Sequence, residues 1–151
     1  MSREDLHDLA TVAARRSEKA VSLETMERLL DLRRRRLPSW LTPAERSRLE
    51  RFSTRVRALL GPRLLKLCLF GSRARGEGHA ESDLDVLLVL REATEAQRDA
   101  IFHIDGEIFE ADGYPLQGQI SPLIMSEADW LFTLDRELLI GREITEQGIP
   151  L

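Results

Sequence analysis

A glycine-rich run between two short apolar segments limits the folds open to this 151-residue chain more than any other part of it. The first segment spans residues 64–70, and the second, residues 83–90, opens with Asp-Leu-Asp. Each is too short and too continuously apolar for an exposed helix, so each is predicted to be a buried strand. The run between them reads Gly-Ser-Arg-Ala-Arg-Gly-Glu-Gly-His-Ala-Glu-Ser and is predicted to be the loop that joins the strands.

Asp83 and Asp85 are two residues apart on the second predicted strand, so their side chains are expected on the same face. Two neighbouring carboxylates repel each other unless a cation separates them. Oxygen ligands of this kind suit Mg²⁺ (or Mn²⁺) that also binds substrate phosphates. The pair is therefore predicted to be both catalytic and metal-binding.

The start of the loop offers groups that suit phosphate. Gly71 directly follows the first strand and lets a ligand approach the backbone closely. Ser72 supplies a hydroxyl and an N–H, and Arg73 and Arg75 supply donors for negative charge. These four residues are predicted to bind the nucleotide phosphates, although either arginine could instead pair with a glutamate of the same loop. A phosphate turn facing a carboxylate pair is a phosphoryl-transfer arrangement.

The run from Gly71 through Asp85 resembles the signature of the minimal nucleotidyltransferases in the DNA polymerase β superfamily. The glycine, the serine, the spacing, the paired aspartates and the apolar strand after them all agree, and the resemblance covers about residues 45–151. It implies an α+β fold, with a mixed, twisted sheet flanked by helices. It also implies that Gly71 and Ser72 hold the β- and γ-phosphates of a nucleoside triphosphate while Asp83 and Asp85 bind two Mg²⁺ ions.

The family carries a third carboxylate on the following strand, and no acid occurs in the segment predicted for that strand, about residues 116–125. Gln119 or Gln117 is expected in the corresponding place, but glutamine cannot act as a base near neutral pH. Glu110 and Asp112, just upstream, are the alternative if the chain bends toward the site.

Two functions stay open. The first is a metal-dependent nucleotidyltransferase that transfers a nucleoside monophosphate from an NTP, with ATP as the expected donor, to a protein, a small molecule or an RNA end. The second is a nucleotide-binding or protein-binding module of the same fold without turnover, acting with a partner such as a toxin or a helical companion subunit. The missing third carboxylate favours the second function, and the intact glycine–serine turn with both aspartates favours the first.

Capping patterns predict the other elements. Residues 1–40 are predicted to form a helical arm, and residues 41–151 the nucleotidyltransferase domain. Within the domain, helices are expected after Thr42 as far as Gly61, after Thr94 to about Ala111, and after Ser126 to about Ile140. Gly141 is expected to separate the last of these from a short helix that ends near Gly148.

Composition limits the partners. Residues 1–60 hold 14 Lys and Arg against 9 Asp and Glu, whereas residues 61–151 hold 8 against 17, so the domain is acidic and unsuited to nonspecific binding of duplex DNA. No apolar run approaches the roughly 20 residues of a membrane span, and no signal peptide is recognised, so a cytoplasmic protein is expected. The amphipathic arm leaves a homodimer open.

Overall fold

One mixed sheet of four strands, in the order β3-β2-β1-β4, organises the part of the chain that the computed structural model describes, residues 37–78 and 82–151. The strands are β1 (Leu64–Phe70), β2 (Leu84–Leu90), β3 (Ile120–Ser126) and β4 (Ile149–Pro150). β1 runs antiparallel to both β2 and β4, and β2 runs parallel to β3. The expected mixed sheet is confirmed, whereas the predicted arm lies almost wholly outside the described residues.

The same described ranges contain a short 3₁₀ helix (Gly61–Arg63) and five α-helices: α1 (Pro43–Leu60), α2 (Ser72–Arg75), α3 (Glu95–Ala111), α4 (Glu127–Asp135) and α5 (Leu139–Gln147). The capping boxes predicted before α1 and α3 are both formed, with the Thr42 and Thr94 side chains accepting from the backbone N–H three residues later. Such caps satisfy N–H groups that the helix itself leaves unpaired. None of these helices is long and apolar enough to cross a membrane.

The two faces of β2 pack against different helices. Alternate residues from Leu84 to Leu90 join the core formed with α1 and α3, while Leu87 and Val89 join Trp130 of α4 and Ile144 of α5. Side chains alternate along a strand, so Asp85 lies on the α4/α5 face. The burial of apolar side chains on both faces therefore fixes which way the aspartate points.

Two predicted boundaries are wrong. β3 begins at Ile120 rather than near residue 116, because the chain before it turns at Gly118, where φ is +63°. The helix capped by Ser126 ends at Asp135, and Gly141 lies inside α5 instead of separating two helices. A Cβ on Gly141 would lie 2.9 Å from Cγ2 of Thr133, so this glycine allows α5 to approach α4.

A buried arginine connects three segments on the other side of the sheet. Arg48 of α1 donates from Nε to Oδ2 of Asp112, at 2.8 Å, and from Nη1 to the carbonyl oxygen of Gly118. Arg51 binds the same Asp112 carboxylate. Although burial alone would raise the pKa of Asp112, the hydrogen bonds from both arginines hold it below its usual value. Asp112 therefore belongs to the framework that fixes the end of α3 and the turn before β3.

Asp105 of α3 is a half-buried carboxyl whose pKa is raised to about 6 by burial, against the opposing charge of Arg48. The folded protein keeps this group protonated up to about pH 6, whereas the unfolded chain releases the proton near 3.8. Between these values the folded state binds more protons than the unfolded state. The contribution of Asp105 to stability therefore falls as the pH rises from about 4 to about 6.

We expect Asp105→Asn to stabilise the protein at pH 7 by on the order of 1 kcal/mol, after allowing for solvent screening of a half-buried group. The gain should be absent at about pH 4, where the wild-type carboxyl is already neutral in the folded protein. Urea unfolding at the two pH values measures both effects. Asp99→Asn, at an exposed position of the same helix, is the control. An equal gain in stability at both pH values would contradict the raised pKa of Asp105.

Candidate functional site

The backbone of Gly71 lies close to the carboxylate of Asp85. β1 ends at Phe70, which is paired with Asp85 across the sheet, so Gly71 leaves the strand beside that side chain. Gly71 has φ +77° and ψ −162°, a conformation that is essentially restricted to glycine. A Cβ here would lie 2.6 Å from Oδ2 of Asp85. Glycine is therefore required both by the backbone and by the carboxylate next to it.

Two hydroxyl groups lie on either side of another glycine in the loop. A Cβ on Gly78 would lie 2.9 Å from Oγ of Ser72 and 3.2 Å from Oγ of Ser82. The Ser72 carbonyl oxygen accepts hydrogen bonds from the backbone N–H groups of Glu77 and Gly78, which folds the loop back over the start of α2. Hydroxyls that begin and end the loop are thereby both brought close to Gly78.

The aspartate pair has the donor chemistry of a divalent-cation site. Asp83 is exposed and Asp85 is half-buried. Burial, followed by the negative charges of Asp83 and Glu143, raises the pKa of Asp85. A divalent cation would offset this repulsion and could take its other ligands from substrate phosphates and water. Within residues 37–78 and 82–151, no three His, Cys, Asp or Glu side chains are already grouped to hold a metal ion.

Arg73 is bound by a glutamate that lies outside the loop. It is buried, and its Nη2 donates to Oε2 of Glu45 at the start of α1. Its carbonyl oxygen accepts a hydrogen bond of 2.7 Å from Nε1 of Trp40, and its own Nε has no hydrogen-bond partner among the described residues. In this structure Arg73 anchors α2 to α1, because Glu45, a residue outside the loop, binds its guanidinium group.

Arg75 binds two other glutamates, Glu77 and Glu143. Its Nε donates to Oε2 of Glu77 at 2.9 Å, which is the pairing within the loop that the sequence left open, and its Nη1 donates to Oε1 of Glu143. Glu143 belongs to α5 and was not identified from the sequence. Nothing in its local pattern marks it, because only the packing of the neighbouring Ile144 into the core brings α5 to this end of the sheet.

The structure places Ser121 in register with Asp85 on the parallel strand β3. Gln119 precedes the strand, and its side-chain Nε2 donates to the carbonyl oxygen of Pro115 at 2.9 Å. Gln117 faces a separate cleft of about 670 Å³ on the α1 side, which Glu45, Arg48 and Arg73 also line and neither aspartate does. Asp112 is held by two arginines, as described above, and Glu110 is exposed on α3.

Residues 49–116 match the family model described as a nucleotidyltransferase domain. The matched segment runs from α1 through the loop, β2 and α3, and so includes Gly71, Ser72, Asp83 and Asp85. The resemblance drawn from these residues is confirmed within residues 49–116, which are similar to a nucleotidyltransferase domain. The same sheet continues beyond the match through β3 and β4.

Two solved structures show weaker likenesses. One is a toxin–antitoxin crystal structure with AMP-PNP, with 17% identity, TM-score 0.39, and coverage of 66% of this chain and 68% of that chain. The other is a provisionally assigned nucleotidyltransferase from Sulfolobus solfataricus, with 19% identity, TM-score 0.35, and coverage of 66% and 85%. Both TM-scores are below 0.5, so neither likeness contributes to the functional conclusions. A search of curated proteins gave no significant match.

We expect Gly71→Ala to weaken Mn²⁺ binding about tenfold, the loss that follows when groups around a metal ligand are disturbed. The added Cβ would displace the Asp85 carboxylate, and the backbone conformation would cost about 1–3 kcal/mol of stability. Titration of Mn²⁺ followed by electron paramagnetic resonance measures the affinity. Gly113→Ala is the matched control, because Gly113 also has a positive φ (+76°) but a Cβ added there would meet no atom within 4 Å. Equal Mn²⁺ affinity in both variants would contradict the role of the Gly71–Asp85 approach.

Proposed function

We propose that this protein is a metal-dependent nucleotidyltransferase that transfers a nucleoside monophosphate from an NTP, with ATP as the expected donor, to an acceptor hydroxyl. The observation that carries the proposal is the packing of the Gly71–Ser72 turn against the Asp85 carboxylate. This arrangement brings a phosphate-binding backbone to a metal-binding carboxylate. The match to a nucleotidyltransferase domain supports it.

The aspartates and the residues of the turn have distinct roles in this proposal. Asp83 and Asp85 would hold Mg²⁺ or Mn²⁺, which supplies charge neutralisation and polarises phosphoryl oxygens when bound. Gly71 and Ser72 would position the β- and γ-phosphates through backbone N–H and hydroxyl groups. Holding the triphosphate in this way would leave its α-phosphorus open to in-line attack by an acceptor oxygen.

The reaction forms one bond and breaks one. The acceptor oxygen bonds to the α-phosphorus, and the bond from that phosphorus to the bridging oxygen of the β-phosphate breaks, so pyrophosphate leaves. The acceptor proton must pass to a base. Ser121, in register with Asp85, cannot serve as that base near neutral pH. The acceptor itself is a protein, a small molecule or an RNA end.

A second function has its own supporting observation. The serine opposite Asp85 leaves β3 without the acid that turnover would use in this family, whereas the phosphate turn and both aspartates stay intact. The protein would then bind a nucleotide without transferring it, and would act through a protein partner such as a toxin or a helical companion subunit. Pyrophosphate release in the presence of candidate acceptors separates the two functions.

We expect calorimetric titration to show NTP binding that requires Mg²⁺, and loss of that binding in the Asp83→Asn/Asp85→Asn double variant. Asparagine keeps the shape of each side chain and removes the charge that holds the cation. Asp99→Asn, an exposed change of the same chemistry on α3, is the control and should bind as wild type does. Urea unfolding verifies that each variant is folded. Unchanged Mg²⁺-dependent binding in the double variant would overturn the site.

A further inference from the structure

The two arginines of α2 differ in how firmly they are held. The side chains of Arg73 and Glu45 are each 8% exposed, so separating them would leave buried charges without partners. The side chains of Arg75 and Glu143 are 27% and 28% exposed. Both can therefore leave their ion pair and remain in contact with water. Arg75 is the arginine of this turn that can change partner.

Glu143 is the acid that α5 brings to the aspartate pair. The next residue, Ile144, is buried with Leu87 and Cys68 under the same face of the sheet on which Asp85 lies. Arg75, three residues beyond Ser72, reaches Glu143 from the phosphate turn. Glu143 lies close enough to Asp85 for its negative charge to act on that carboxylate, in addition to burial and the charge of Asp83. The ion pair with Arg75 therefore holds Glu143 beside the turn that packs on Asp85.

We propose that Glu143 is the third carboxylate of the metal site, and that Arg75 holds it in the ligand-free protein and releases it when the divalent cation binds, alone or with the nucleotide. Arg75 would then turn to the phosphates and Glu143 to the cation. This inference rests on the proposed function, and it assigns to α5 the acid that β3 lacks.

When Arg75 and Glu143 exchange partners, each charged group keeps a partner of opposite charge. In the free protein the guanidinium of Arg75 offsets the repulsion between Glu143 and the aspartates. A divalent cation provides the same countercharge to the carboxylates, and a phosphate offers the guanidinium an anionic partner with bidentate geometry. Neither group is left unpaired at the end of the exchange. Glu77, which binds the other side of Arg75 from an exposed position, can keep the arginine near the turn throughout.

Metal binding without nucleotide tests the inference, because the two partners of the ion pair should then have opposite effects. We expect Glu143→Gln to weaken Mn²⁺ binding about tenfold, since it removes a ligand. We expect Arg75→Gln to strengthen Mn²⁺ binding several-fold, since it removes the cation that competes for Glu143. Titration of Mn²⁺ by electron paramagnetic resonance measures both. If the pair only fastened α5 to α2, the two variants would change affinity in the same direction or not at all, and the inference would be overturned.

Neighbouring residues of α5 supply the controls. Arg142 and Glu146 form an exposed ion pair on the same helix, so Arg142→Gln and Glu146→Gln remove the same charges without touching the site and should leave Mn²⁺ affinity unchanged. Glu143→Asp, which keeps a carboxylate, should recover part of the affinity that Glu143→Gln loses. Absence of any recovery, in protein shown to be folded by urea unfolding, would count against a ligand role.

A measurement of nucleotide binding distinguishes this inference from the proposed function. Arg75→Gln should weaken Mg²⁺-ATP binding about tenfold, because it removes a charge-assisted contact to phosphate, even though it strengthens binding of the metal alone. If Asp83→Asn/Asp85→Asn abolishes Mn²⁺ binding while Glu143→Gln leaves it intact, the proposed function stands and the role of Glu143 is wrong. If the aspartate variant binds Mn²⁺ as wild type does, both are wrong.

Discussion

The contact between the Gly71 backbone and the Asp85 carboxylate depends on the pairing of β1 with β2. Phe70 and Asp85 are partners in that pairing, so the chain leaves β1 directly beside the aspartate. A slip of one residue would turn Asp85 toward α1 and α3, because side chains alternate between the faces of a sheet. Such a slip would also place the apolar residues of β2 on the wrong faces. The same apolar core that stabilises the sheet therefore fixes the geometry of the site.

A buried ion pair between Arg73 and Glu45 anchors the Gly71–Ser72 turn and α2 to α1. Glu45 caps α1 through one carboxylate oxygen and accepts from Arg73 through the other. A Cβ on Gly118 would lie 2.8 Å from Cγ of Glu45, so the turn before β3 packs on the same group. A buried pair contributes little net stability but is costly to break, and this makes it suited to fixing position. We infer that the pair holds α2 rigidly while leaving Arg75, on its outer side, to respond to ligands.

The structural features that depend only on neighbouring residues could be predicted from the sequence. The strand alternation that puts Leu84 in the core and Asp85 on the opposite face is visible in the residues themselves, as are the capping threonines of α1 and α3. Sequence reasoning could not identify Glu45 as the partner of Arg73, Ser121 as the neighbour of Asp85, or Glu143. Each of these depends on register or helix packing between segments distant in the chain. Gly141 shows the same limit, since a glycine that ends a helix and one that lets two helices touch look alike in sequence.

Charge at the site restricts the form in which a nucleotide can arrive. Asp83, Asp85 and Glu143 bring three carboxylates to one end of the sheet, and Arg75 is already engaged by Glu143 and Glu77. A triphosphate without a cation would add several negative charges to this region, which Coulomb repulsion in a partly buried site opposes. A divalent cation bound to the triphosphate lowers its net negative charge and attracts the aspartate carboxylates directly. We therefore expect the nucleotide and the metal to enter as one complex, with Arg75 turning to the phosphates only after the cation has reached the carboxylates.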